Sequence, residues 1–100
     1  MLITTMNDIP GQNIQTLGLV RGNVVVSKNI GRDMMAGFKS MVGGEIKTFT
    51  DMTAEARETA EERMMAEAQQ LGADAIIAMR FDSSTVAEGT TEMLAYGTAV

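Results

Sequence analysis

Residues 48–72 read TFTDMTAEARETAEERMMAEAQQLG, an amphipathic helix running from about Thr48 to Leu71 and stopped by Gly72. At about 100° per residue, Phe49, Met52, Ala56, Ala60, Met64, Ala68 and Leu71 fall on one stripe. Glu55, Glu58, Glu62 and Gln69 occupy the opposite, wet face. Thr48 with Asp51 three residues later makes a capping box at the start. Ala56 and Ala60 stand at the centre of the stripe, so the helix is expected to sit close to a flat partner such as a sheet. Arg57 with Glu61 and Arg63 with Glu67 are expected as flanking ion pairs one turn apart.

Composition narrows what the rest can do. A chain of 100 residues makes one domain, spanning 1–100, with a limited core. With three Phe, one Tyr and no Trp, that core must come from Ala, Val, Ile, Leu and ten Met. A thin core of this kind is often completed against further copies of the same chain. The absence of Cys removes disulfides, thiolate metal sites and Cys nucleophiles, and the absence of His removes the usual zinc sites and Ser-His-Asp chemistry. An enzyme is therefore not expected. A net charge of −5 with so few aromatics argues against nucleic acid as a partner, and no apolar run is long enough to span a membrane. Cytoplasm is the expected location.

Outward from the helix, Met1–Thr5 reads as a short strand followed by an Asn7–Gly11 turn. Ile14–Ser27 reads as a long strand interrupted by Gly18 and Gly22, which predict a bulge or a close backbone approach, or a hairpin at Arg21–Asn23. A short helix is expected over Asp33–Val42, ended by Gly43-Gly44. Beyond Gly72, Ala73–Asp82 reads as a strand with Ala75, Ile77, Met79 and Phe81 on one face and Asp74, Ile76, Ala78, Arg80 and Asp82 on the other. A polar loop over Ser83–Thr90 leads to a last strand, Thr91–Val100, apolar on both faces. Helices cover only one face of a small sheet, so the other predicts a homo-oligomer. If Ala95 lies on that second face, Ala95→Arg should break the assembly.

Several segments are similar to those of a known family. They are Ile3-Thr4-Thr5, Asn29-Ile30-Gly31-Arg32-Asp33 with Ala36-Gly37 and Val42-Gly43-Gly44, Ala56-Arg57-Glu58, Leu71-Gly72-Ala73-Asp74-Ala75 and Gly97-Thr98-Ala99-Val100. In order and spacing they cover nearly the whole chain, which resembles the YbjQ-like family of small bacterial proteins, also described as heavy-metal-binding domains. The resemblance implies an α+β, dodecin-like subunit. Its curved antiparallel sheet would pack on one long and one short helix, in the order β-β-α-α-β-β. It implies ring assembly as a pentamer, or as a decamer of two stacked rings.

Metal ion is the cofactor this family description implies, and in a chain without Cys or His its ligands would be carboxylates, carbonyls or Met thioethers. Most Met residues stand at spacings that bury them as core filler, whereas Met35 and Met65 fall off their stripes and suit a subunit interface. Asp74, Arg80 and Asp82, expected on one strand face, are candidates to hold an anion or a hard cation, although ion pairing at a subunit seam would use the same residues. Arg32 and Asp33 at the start of the short helix are candidates for anion binding, against a helix-capping role for Asp33 and an intersubunit pair for Arg32. The expected function is a non-enzymatic, ring-forming homo-oligomer that binds a metal ion or small ligand. The alternative is a structural scaffold with no small-molecule ligand.

Overall fold

The computed structural model describes residues 1–27, 41–42 and 45–100. Four strands form the main sheet: β1 (Leu2–Ile3), β2 (Gly18–Ser27), β5 (Ala75–Ala87) and β6 (Thr90–Ala99), in the spatial order β1-β5-β6-β2. A separate two-stranded ribbon pairs β3 (Met41–Val42) with β4 (Glu45–Ile46). The helix α1 (Lys47–Gln70) follows β4 directly and packs across β2 and β6. The sheet is mixed rather than antiparallel, because β1 runs parallel to β5 while β5–β6 and β6–β2 are antiparallel.

The period read from the sequence places the helix well. Ala56, Ala60, Met64 and Ala68 are buried, whereas Glu55, Glu58, Glu62 and Gln69 are exposed. Leu71 lies past the last turn and is 46% exposed, so it leaves the stripe. The helix begins at Lys47, which puts Thr48 inside it rather than at its cap. Arg63 does not lie along the helix toward Glu67; its Nη1 donates to the Asn23 carbonyl at 2.6 Å.

The C-terminus closes as a Schellman motif. Ala73 N donates to Ala68 O at 3.1 Å and Gly72 N to Gln69 O at 3.0 Å, with Gly72 at φ 74°. Gly72→Ala is expected to lower stability by about 1 kcal/mol, because an L side chain is disfavoured at that φ. A urea melt of the variant superimposing on that of the parent would contradict this.

Gly22 shows why β2 contains a glycine. A methyl built there would run into Ala60 O and Met64 N and lie 2.7 Å from Arg63 Cβ, so the helix backbone rests on the strand. The strand runs through Arg21–Asn23 without a hairpin. The small residues Ala56 and Ala60 permit the approach, and Met64 fills the space beside it.

A bulge in β5 changes the faces expected from alternation. Ile77 pairs with Thr98 and Arg80 with Tyr96, so Ala78 and Met79 together oppose Gly97. Ala78 takes φ 50°, and a Cβ on Gly97 would meet Ile76 Cγ2 at 2.7 Å. The freed amides find the N-terminal segment: Ala78 N donates to Met6 O at 2.7 Å and Met79 N to Thr4 O at 3.0 Å. One extra residue inverts the parity, which brings Ile76 and Met79 into one core with Val20, Met93, Ala95 and Ala99.

Other expectations shift as well. Ser83–Ala87 continues β5 rather than forming a loop, and the chain reverses at Glu88-Gly89, where Gly89 has φ 67°. Met41 and Val42 are strand, not the end of a helix; the rest of the expected Asp33–Val42 helix, with Met35, lies outside the described residues. Met65 is partly buried against the core. Ala95 is fully buried under the helix rather than facing a neighbour, so Arg at that position probes folding, not assembly.

Candidate functional site

A cavity of ≈ 560 Å³ opens where the end of the helix meets the N-terminal segment. Two local structures build it. Ile9-Pro10-Gly11-Gln12 is a turn with Gln12 N donating to Ile9 O at 3.1 Å, Pro second and Gly11 third at φ 79°, which is the type II pattern. That turn folds residues 12–17 back until Leu17 N donates to Ala99 O at 2.8 Å. On the other side, the helix stop at Gly72 delivers Asp74, whose N donates to Val100 O at 2.9 Å.

The lining brings Asp74 together with Gln12, Asn13 and Gln15, all four exposed, and with aliphatic residues that include Ile9 and Val100. One carboxylate among amides beside such residues can accept hydrogen bonds from a cation and shelter an attached apolar group. Sequence reading found Asp74 but missed the amides, because Ile14–Leu17 continued the alternation of β2 and read as part of that strand. The turn signal at Pro10-Gly11 was the clue that this segment folds back separately.

The remaining candidates do not gather there. Arg80 and Asp82 lie beyond the bulge, on the sheet face turned away from the helix, roughly 15 Å or more along the strand from Asp74 at about 3.3 Å per residue. Arg80 Nη1 donates to Thr5 O at 3.0 Å and to Met79 O at 2.8 Å, which fastens the N-terminal segment over the bulge. Asp82 is exposed. Arg32 and Asp33 lie outside the described residues. Among the described residues, no three acidic side chains come together as a metal site, and Met64, Met79 and Met93 are core.

The far face of the sheet is the second feature of note. Register places Leu19, Arg21, Asn23 and Val25 of β2 beside Thr98, Tyr96, Leu94 and Glu92 of β6 on that face. Asn23 Nδ2 donates to Glu92 Oε2 at 3.0 Å, and Leu19 and Val25 are 61% and 52% exposed. No helix among the described residues is long and apolar enough to cross a membrane.

Comparison with known proteins agrees with this architecture. A solved protein of unknown function of the DUF74 family, from Pediococcus pentosaceus, superposes with a TM-score of 0.68 over 99% of this chain and 94% of its own, at 16% identity. That likeness concerns the fold alone. The UPF0145 protein of Thermotoga maritima is 56% identical over 100% of this chain and 95% of its own length. A UPF0145 protein of Photobacterium profundum is also 56% identical, over 100% and 98%. The profile of the YbjQ family, described as "Putative heavy-metal-binding", matches residues 1–100. With that profile spanning the helix, the bulged sheet and the Asp74 cavity alike, the chain belongs to the YbjQ family of UPF0145 proteins.

Proposed function

We propose that this protein is a non-enzymatic subunit of a dodecin-like ring, a pentamer or two stacked pentamers, that holds a metal ion or small cationic ligand through carboxylate and amide groups. One observation supports the assembly most strongly: the core is made mainly of small and flexible residues while every leucine stays outside it. Five alanines and three methionines fill the main cluster. All five leucines lie outside it; Leu2, Leu17, Leu19 and Leu71 are exposed and Leu94 is half-buried. Leucine ranks among the residues most often buried, so a chain that exposes so many has further surface to cover. A radius of gyration of 16.4 Å, against about 13 Å for a compact domain of this length, points the same way.

Binding is favoured over a bare scaffold by the family description and by the Asp74 cavity, whose donor set suits hard cations or an ammonium group better than soft ions. The chain's lack of both Cys and His supports a role without catalysis. The test is thermal melting of metal-stripped protein against a panel of divalent ions, Cu(I) and simple alkylammonium compounds. At a concentration of 100 Kd, a specific ligand contributes about 2.7 kcal/mol, a clear rise in Tm that Asp74→Asn should abolish. A melting curve unmoved by the whole panel would overturn ligand binding and leave the scaffold.

A further inference from the structure

We propose that copies of this chain join head to tail, with the outer edge of β2 in one copy laid parallel along the outer edge of β5 in the next. The sheet then runs unbroken between subunits. This rests on the ring reading above and specifies its seam. Among the described residues, β1 covers β5 only at Ala75 and Ile76, and the Thr4 and Met6 carbonyls take the amides of Met79 and Ala78. Among the described residues, the outer edge of β5 carries no strand from Arg80 to Ala87, and β2, at the opposite margin, carries none over Gly18–Ser27, where the Arg63 guanidinium caps one carbonyl, that of Asn23. Such edges present rows of unpaired N–H and C=O groups. Both strands are antiparallel to β6, so a continuing sheet brings them together in parallel.

Side chains select the register. Arg21 and Asp82 are exposed, of opposite charge, on the same sheet face and at opposite margins, and neither has a partner among the described residues. Setting the partner subunit's Arg21 opposite Asp82 brings its Val25 to the level of a second bulge in β5, at Val86, where Thr85 pairs with Thr91 and Ala87 with Thr90; the two valines are 52% and 56% exposed in the single chain. On the helix side the same register sets the partner's Val20 next to Phe81. Helix α1 covers β2 and β6 and leaves Phe81 of β5 42% exposed, so the neighbour's helix, seated on its own β2, closes over that ring. One register therefore pairs a charge and covers an aromatic side chain. A two-fold pairing of β2 with β2 does neither, and a head-to-tail seam closes into a ring where a two-fold one stops at a dimer.

The chain has no Cys, so introduced thiols report cleanly. A chain carrying both Val25→Cys and Val86→Cys should form, on mild oxidation, a ladder of covalent multimers in a denaturing gel, rising to the ring number. Within one subunit these positions sit on strands separated by β6, about 10 Å or more apart and beyond the ~7 Å reach of a disulfide. Each single variant should stay monomeric in the gel. A covalent dimer from Val25→Cys alone would mean that β2 meets β2 and would overturn the head-to-tail seam. In parallel, Arg21→Asp and Asp82→Arg should each shift the native mass from ring to monomer, and the two together should restore it. Single variants that keep the full ring mass, or a ring without a ladder, overturn the seam while leaving the ring intact; an unmodified protein that is monomeric overturns both.

Discussion

Replacing Gly22 by alanine is expected to destabilise the protein by about 3 kcal/mol or more, an unusually large effect for one added methyl group. The methyl has no flexible neighbour to displace. It meets the Ala60 carbonyl oxygen and the Met64 amide nitrogen, both backbone atoms in the middle of a 24-residue helix, with Arg63 Cβ 2.7 Å away. Relief requires lifting the whole helix from β2, which also opens the packing of Ala56, Ala60 and Met64 against Val20 and Ala95. Urea denaturation at fixed protein concentration measures the effect. A Gly22→Ala protein with an unchanged midpoint would mean that helix and strand do not touch there.

Ala95→Arg is expected to be worse still, about 5 kcal/mol, enough to unfold a domain of ordinary stability. Ala95 has no accessible surface and pairs across β6 with Gly22 on one side and Phe81 on the other, directly under the helix. An arginine there buries a cation in a core that holds no buried charged group among the described residues, or pushes the helix off the sheet. The adjacent Leu94→Arg, on the far face and half-buried, is expected to leave the subunit folded. Far-UV circular dichroism separates the two. A folded Ala95→Arg protein beside an unfolded Leu94→Arg protein would show the helix to lie on the opposite face of the sheet.

The contrast between neighbouring residues marks what the sequence made legible and what it did not. Helix α1 could be read because its period repeats over six turns, and Gly72 and Gly22 could be read because each does something only glycine does cheaply. The bulge at Ala78–Met79 could not, since nothing in Ala75–Asp82 announces an inserted residue and Ala78 adopts the φ 50° that a glycine would have signalled. That one residue moved Ile76 into the core with Met79. It also broke the alternation from which Asp74, Arg80 and Asp82 had been grouped on one face. Ser83-Ser84-Thr85 read as a loop because polarity outweighed extension, yet hydroxyl side chains suit an exposed strand edge. The short strand expected over Met1–Thr5 is there as β1, but two residues carry no period from which its parallel pairing with β5 could be read.

In the proposed ring the single chain is an incomplete unit. Native mass spectrometry of metal-free protein at micromolar concentration tests it most directly. The expected spectrum has one dominant species at five times the subunit mass, or ten times if two rings stack, with little free monomer on dilution. A stable, folded monomer across the same concentrations would contradict it, because Leu19, Val25, Phe81 and Tyr96 would then be facing water with no subunit to cover them.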